Sequence, residues 1–178
     1  MALEKMPKGL WARANAISGW LTRREGDLLY SLCRSPWCEL GSWAGRSAVI
    51  LAARGPGTCV DWFREGNQPS HLEDNVPSTC TILHSDFRDA ADLVEPGLRF
   101  LHLDADHSYA ATKEAWDLYM PKLEPGGHVV IHDAWVYGTV HNPWPECTMF
   151  VEELMADQEG NRILHVYDVE RSAPFRKL

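Results

Sequence analysis

Long apolar runs, clustered basic residues and paired cysteines are all missing from this sequence. No apolar stretch approaches the ~18–20 residues that a membrane span needs, and the N-terminal segment lacks the apolar core of a secretory signal. Acidic residues outnumber basic ones by 25 to 17, which gives a net charge of −8. Phosphate contacts need clustered Lys and Arg, so we expect neither a broad nucleic-acid surface nor a membrane partner.

The cysteines exclude two further classes of protein. There are five of them, an odd number, at irregular spacing and without a CxxC pair. This pattern fits neither a disulfide framework nor a zinc knuckle. Cys59 and Cys80 lie inside apolar runs and are typical of small buried residues. We therefore expect a reduced, cytoplasmic protein.

The composition that remains is that of a globular domain. The chain has 178 residues, of which 45% are hydrophobic and 24% charged, values typical of one soluble domain. We predict a single domain over 1–178, with N-terminal helices over about 1–35 and a core over about 36–178. Eight tryptophans are an excess that composition alone does not explain.

Short apolar strands alternate with helical segments along the chain, a pattern that indicates a parallel sheet covered by helices on both faces. The last two strands are joined by a turn too short for a parallel crossover. The fold class predicted is therefore α/β, a three-layer Rossmann-like doubly wound sheet of about seven strands, mostly parallel with one antiparallel edge strand. The predicted strands are 37–40, 58–61, 79–83, 98–103, 128–131, 163–169 and 173–177, and the main helices 17–34, 46–53, 86–94, 108–120 and 148–158.

A glycine-containing turn follows the first strand and opens a helix, in the segment ELGSWAGRS. Its G-x-x-x-G spacing matches neither the dinucleotide fingerprint nor a P-loop, so a pyrophosphate is disfavoured. A carboxylate ligand suits the helix N-terminus, and Glu39 is placed to pair with a ligand ammonium group; alternatively it forms a salt bridge at the strand end. The candidate contacts of this segment are Glu39, Gly41, Ser42, Gly45, Arg46 and Ser47.

Acidic and aromatic residues follow the next two strands. Asp61 ends the second strand, where an acidic residue accepts from ribose hydroxyls in related sheets. Asp86 follows the third strand and can accept from an exocyclic amine, although it is also a natural helix cap. Ser85 lies beside it, and Trp62 or Phe87 can stack on a base. An amino acid, a ribose and an adenine together describe S-adenosylmethionine.

The sequence resembles the class I S-adenosylmethionine-dependent methyltransferases, and more narrowly a small bacterial family near the macrocin-type O-methyltransferases and cephalosporin hydroxylase-like proteins. The resemblance spans residues 17–133 and is carried by the segments ISGWLTRREGDLLY, ELGSWAGRSA, CVDWF, HSDF, LHLDADHSYAATKEAWDLYMPKLEPGG and VVIHD. It implies a seven-stranded sheet with an antiparallel last strand, S-adenosylmethionine as cofactor and methyl transfer as activity. The chain departs from the family in its short region after Asp61.

Histidine and aspartate residues gather after the fourth and fifth strands. The predicted catalytic residues are Asp104, His107, His132 and Asp133. Related catechol-type enzymes imply a divalent cation at Asp104, His132 and Asp133, with Asp104 also near the cofactor. Histidine suits Mn²⁺, Fe²⁺ or Zn²⁺ better than Mg²⁺. Two alternatives stay open: a metal-free site in which His107 or His132 is the general base, or a purely structural role.

A polar and aromatic segment, 135–138 and 141–145, follows the fifth strand and is interpreted either as a lid over the acceptor or as a packed loop.

The function predicted is O-methylation of a small molecule, of sugar or natural-product type, in a monomer or homodimer. The alternatives are a catalytically silent protein that binds S-adenosylmethionine and, less favoured, a metal-dependent hydroxylase-like protein.

Overall fold

The computed structural model describes residues 3–63, 69–135 and 144–178. These residues form one seven-stranded sheet flanked by seven α-helices. The strands are β1 (Trp37–Leu40), β2 (Gly57–Asp61), β3 (Thr81–His84), β4 (Leu98–Leu103), β5 (Leu123–Ile131), β6 (Ile163–His165) and β7 (Ala173–Lys177). The helices are α1 (Lys8–Ala16), α2 (Arg23–Leu32), α3 (Ala48–Ala52), α4 (Pro69–Asn75), α5 (Phe87–Ala90), α6 (Tyr109–Tyr119) and α7 (Pro145–Ala156).

The strand order is β3-β2-β1-β4-β5-β7-β6, and every pairing up to β5 is parallel. Strand β7 runs antiparallel to both of its neighbours and lies one position in from the edge strand β6. The predicted α/β fold class, mostly parallel with antiparallel pairing at one edge, is confirmed. Strands β2 and β3 are added on one side of β1, and β4 and β5 on its other side, so the strand order reverses between β1 and β4. Ligands bind at such switch points, beyond the carboxyl ends of the strands.

Both sheet faces are covered by helices. On one face, Leu40 and Leu101 pack with residues of α5, α6 and α7. On the other face, Trp37 and Phe100 pack with residues of α1, α2 and α3. All four residues of β1 are buried, as a central strand of a three-layer fold requires. No helix among the described residues is long and apolar enough to cross a membrane.

Side-chain caps fix three helix starts near the carboxyl edge of the sheet. Thr22 and Glu25 form a reciprocal capping box on α2. Asp86 accepts from the Arg88 N–H at 2.9 Å and caps α5, as predicted. Ser108 caps α6 through the Ala111 N–H at 3.2 Å. The helix predicted over 17–34 is wrong in its first turn, because the capping box delays its start to residue 23.

Several other boundaries differ from those predicted. Strand β5 begins at Leu123, five residues before the predicted start at 128, and includes a Pro-Gly-Gly segment. Its register with β4 shifts between Leu98 and Phe100. Gly126, at φ +85°, supplies backbone geometry that other residues rarely adopt. The strand expected over 163–169 ends at His165, and beyond it pairing with the segment of β7 continues only through single contacts such as that of the Val166 N–H with the Pro174 carbonyl at 3.0 Å.

Candidate active site

A cavity of about 730 Å³ opens at the carboxyl ends of β1, β2, β4 and β5. Its size is that of a small-molecule or cofactor pocket. The wall contains most of the predicted site residues together with a segment that precedes α2. Lining residues include Ser18–Leu21, Gly41–Trp43, Arg46, Ser47, Asp61, Trp62, Ser85–Arg88, Asp104–His107, His132, Asp133, Trp135, Trp144 and Arg171.

The glycine turn brings β1 against the end of β4. Gly41 has φ +88°, and its N–H donates to the Val60 carbonyl at 2.8 Å. A Cβ atom at this position would lie 2.2 Å from the carbonyl oxygen of Asp104. Glycine is therefore required both by the backbone conformation and by this approach of another strand.

Two predicted contacts of the glycine turn do not lie on the cavity wall. Glu39 is fully buried, and its Oε1 lies 2.9 Å from His102 Nδ1. The Glu39 side chain thus has a buried partner within the sheet, and its contact with a ligand ammonium group stays a prediction. Gly45 instead faces α4, where a Cβ would meet the Leu72 side chain at 2.9 Å.

The Arg46 side chain ties the turn to the segment before α2. Its guanidinium donates to the Gly19 carbonyl at 2.7 Å and to Asn15 Oδ1 at 2.8 Å. It also lies 5.5 Å from the centroid of the Trp11 ring. Helix α3 begins only at Ala48, later than predicted, and has five residues. Arg46 and Ser47 line the cavity from the loop, not from a helix.

Asp61 organises the loop on the β2 side of the cavity. Its carboxylate accepts from the Trp43 N–H at 2.6 Å and from the Phe63 N–H at 2.7 Å. Burial raises the pKa of this carboxyl group, although the two N–H contacts oppose the shift. A carboxylate has about four acceptor positions, so both oxygens can accept a further hydrogen bond from a ligand. Trp62, beside it, is 55% exposed.

Asp86 caps its helix as predicted, and its contact with an exocyclic amine stays a prediction. It caps α5 and pairs with the Arg88 guanidinium at 3.2 Å, and it also lines the cavity. Phe87 is 6% exposed and lies beneath the same guanidinium, 4.3 Å from its Cζ atom. Ser85 completes this part of the wall.

The four predicted catalytic residues meet at the opposite end of the cavity. His107 Nε2 lies 3.3 Å from both Asp104 Oδ1 and Asp133 Oδ2. His132 Nδ1 lies 3.1 Å from Asp104 Oδ1. Burial alone would lower the pKa of His107, but the two carboxylates outweigh it and raise the pKa to about 9. The two histidines hold the pKa values of Asp104 and Asp133 below their usual range despite burial.

One possible metal-ligand set emerges from the described part of the chain. Single ligand atoms of Asp104, His107 and Asp133 all lie within 4.8 Å of one another. The predicted set contained His132 in place of His107. His132 is only 3% exposed and lies behind Asp104, with both ring nitrogens facing carboxylates, so His107 is the histidine better placed to act as a ligand.

Two residues that contact the His/Asp cluster were not predicted from the sequence. Glu25 is fully buried, with Oε1 3.4 Å from His132 Nε2. Arg171, from the connection between β6 and β7, pairs with Asp133 Oδ1 at 2.9 Å. Burial would raise the pKa of Glu25, but His132 outweighs it and lowers the pKa to about 2. The predicted helix 17–34 contained Glu25 without indicating this contact, and no sequence signal indicated Arg171.

Aromatic side chains frame the cavity. The Trp144 ring stacks on His107 with centroids 4.7 Å apart and planes 17° apart. Trp135 Nε1 donates to Asp168 Oδ1 at 2.7 Å, and the Trp20 and Trp43 rings lie 6.2 Å apart. The rest of the predicted lid, residues 136–143, lies outside the described residues.

Residues 38–134 match the family described as "Methyltransferase domain". This segment covers more than half of the chain and contains the glycine turn, Asp61, Asp86 and the whole His/Asp cluster. The chain belongs to this family. The resemblance to class I S-adenosylmethionine-dependent methyltransferases is confirmed, and the protein is a methyltransferase. None of the curated proteins compared with the chain gives a match.

Solved structures share the fold of this methyltransferase at low identity. A candidate caffeoyl-CoA O-methyltransferase from Staphylococcus aureus has a TM-score of 0.70 and 14% identity, over 93% of this chain and 87% of its own. Podospora anserina PaMTH1, bound to SAH, has a TM-score of 0.69 and 14% identity, over 99% of this chain and 90% of its own. MycE of the mycinamycin pathway, with Mg and SAH, has a TM-score of 0.67 and 19% identity, over 95% of this chain and 53% of MycE. The chain thus spans about half the length of MycE.

Proposed function

We propose that this methyltransferase transfers a methyl group from S-adenosylmethionine to a hydroxyl oxygen of a small molecule, of sugar or natural-product type, with the help of a divalent cation. The observation that carries this proposal is the convergence of Asp104, His107 and Asp133 on the cavity wall, with ligand atoms within 4.8 Å of one another. They lie where β4 and β5 end, whereas Asp61 lines the cavity from the end of β2.

The half of the cavity next to β1, β2 and β3 has the donor and acceptor set that S-adenosylmethionine needs. Asp61 retains acceptor positions for ribose hydroxyls, and Asp86 presents a second carboxylate. Trp62 and Phe87 supply aromatic surface for an adenine ring. The bound cofactor would supply an electrophilic methyl group on a sulfonium. PaMTH1 and MycE, which share the fold, were solved with SAH.

The other half fits a cation that accepts nitrogen as well as oxygen. Two carboxylates and one imidazole suit Mn²⁺, Fe²⁺ or Zn²⁺ better than Mg²⁺, although MycE was solved with Mg. A divalent cation supplies positive charge that lowers the pKa of a nearby hydroxyl. His107 by itself is a poor base near neutral pH, because its pKa of about 9 leaves it protonated. This favours the cation-assisted site over the metal-free alternative.

The chain's own residues then position the reactants. Asp104 and Asp133 hold the His107 imidazole from one side, while the Trp144 ring covers one of its faces. Methyl transfer is an in-line displacement, and its rate depends mainly on alignment of donor and acceptor. The cavity of about 730 Å³ has to hold cofactor and acceptor together, which favours a small acceptor.

Calorimetric titration with S-adenosylmethionine, with and without Mn²⁺ or Mg²⁺, tests the proposal first. Transfer of labelled methyl from S-adenosylmethionine to small molecules of a cell extract then tests the activity. Asp104→Asn is expected to abolish transfer, whereas Asp117→Asn, on the exposed side of α6, keeps it. No cofactor binding at millimolar concentration would overturn the proposal. Binding without transfer to any component would favour the silent, cofactor-binding alternative.

A further inference from the structure

Glu25 belongs to α2, remote in sequence from the cluster, and its side chain is fully buried behind the cavity wall. Its carboxylate contacts His132 and Arg171, which themselves line the cavity. We infer that Glu25 is a positioning residue for the methyl-transfer site: it holds His132 and Arg171, and these hold the two carboxylates that face the cavity. The inference rests on the proposed function.

The first connection runs through His132. Its Nε2 lies 3.4 Å from Glu25 Oε1, and its Nδ1 lies 3.1 Å from Asp104 Oδ1. A ring with a carboxylate at each nitrogen cannot rotate without losing one of the two contacts. Asp104 Oδ1 is therefore fixed in place, and this same atom lies 3.3 Å from His107 Nε2.

The second connection runs through Arg171. Its backbone N–H donates to Glu25 Oε1 at 3.1 Å, and its guanidinium lies 3.6 Å from Glu25 Oε2. The same guanidinium pairs with Asp133 Oδ1 at 2.9 Å. Asp133 has φ +51°, a conformation that costs about 1–3 kcal/mol in a residue other than glycine and persists only where neighbours enforce it. Arg171 is one of those neighbours.

Glu25 is itself held rigidly. Its Oε2 accepts from the Thr22 N–H at 2.9 Å, as the second half of the capping box. A glutamine at this position would keep the size and the cap but lose the negative charge that attracts the His132 ring and the Arg171 guanidinium. Glu25→Gln therefore separates support of the site from support of the helix.

Asp27→Asn is the matched control, because Asp27 lies on the same helix and is also buried, and among the described residues it has no contact with the His/Asp cluster. Its Oδ1 accepts from the Met6 N–H at 3.0 Å and pairs with Arg23 at 3.3 Å. Mn²⁺ binding is measured by calorimetry on the wild type and on both variants. Loss of a partner that contacts a metal ligand typically costs 10–100-fold in affinity. Glu25 reaches the ligands only through His132 and Arg171, so we expect the low end of this range, about 10-fold, for Glu25→Gln and no loss for Asp27→Asn.

Long-range ¹H–¹⁵N spectra of the imidazole rings give a second readout that needs neither metal nor activity. Glu25→Gln is expected to move the His132 ring signals and, through Asp104, those of His107, while S-adenosylmethionine affinity stays unchanged. Unmoved ring signals, or equal changes in Asp27→Asn, would overturn the inference. A wild type that binds neither Mn²⁺ nor S-adenosylmethionine would refute the proposed function instead, and the spectra would still decide the role of Glu25.

If Glu25→Gln fails to fold, Arg171→Gln removes the second connection. This variant is expected to weaken Mn²⁺ binding 10–100-fold, and unchanged binding would count against the inference.

Discussion

Gly41→Ala is the substitution for which the structure makes the sharpest prediction. The added Cβ would lie 2.2 Å from the carbonyl oxygen of Asp104 and 2.7 Å from Ala105 Cα, both backbone atoms. Neither can move aside as a flexible side chain would. The end of β4 would have to shift away from β1, and Asp104, a predicted ligand of the site, would shift with it.

Two costs add up at this position. Alanine at φ +88° is strained, which typically costs about 1–3 kcal/mol, and insertion of a methyl group into a packed interior costs about 1–3 kcal/mol more. The expected destabilisation is therefore about 2–6 kcal/mol. With a urea m-value of about 2 kcal/mol/M, the unfolding midpoint would fall by roughly 1–3 M.

Urea unfolding followed by tryptophan fluorescence measures this shift, and calorimetry measures the accompanying loss of S-adenosylmethionine affinity. Gly9→Ala is the matched control, because no atom lies within 4 Å of a Cβ at this exposed helical position. Alanine is the better helix former by up to about 1 kcal/mol, so this variant should be at least as stable as the wild type. A Gly41→Ala protein with the wild-type midpoint and affinity would refute the assigned contact between the glycine turn and β4.

Three further predictions concern titratable groups. The pKa of Glu25 falls from 4.5 to about 2 on folding. The ionised group therefore contributes up to about 3 kcal/mol to the free energy of unfolding, in full above pH ~4.5, and this contribution is lost as the pH falls towards 2. On acidification, the urea midpoint of Glu25→Gln should decline less steeply than that of the wild type. Because His107 has a pKa of about 9, a cation at the site must displace its proton, and Mn²⁺ affinity measured by calorimetry should rise with pH up to about 9; a pH-independent affinity would argue against His107 as a ligand. Burial raises the pKa values of all five cysteine thiols, and only Cys80 is partly exposed. A thiol reagent such as DTNB should therefore label at most one thiol rapidly in the native protein and all five in urea. Rapid labelling of several thiols in the native protein would contradict this.

The local signals predicted most of the sheet. Strands β1 and β4 lie where the apolar runs indicated, because buried parallel strands are continuous apolar segments bounded by turns. The antiparallel strand β7 also has the predicted bounds. The start of β5 was missed since glycine and proline normally indicate a turn, whereas here Gly126 continues the strand at positive φ. The start of α2 was placed too early because apolar spacing alone does not locate a cap.

The candidate site was predictable where its residues follow strands. Asp61, Asp104 and Asp133 follow strands at the carboxyl edge, where the fold class alone places them near a ligand. The buried contact of Glu39 with His102 was not predicted, because the sequence does not show that β1 pairs with β4. Arg171 was missed because it reaches the site from the far end of the chain, and only the position of β7 against β5 brings it there.

The charges of the cluster explain why these remote residues belong to the site. Glu25, Asp104 and Asp133 carry three negative charges, and Arg171 neutralises one of them. The remaining two are balanced when His107 and His132 are protonated, which agrees with the raised pKa values of both histidines. A divalent cation that displaced the His107 proton would add one net positive charge to the cluster. In the cation-free protein, loss of Arg171 would leave one negative charge uncompensated, and such buried charges are costly. We therefore expect Arg171→Met to destabilise the protein more than the loss of one surface ion pair would.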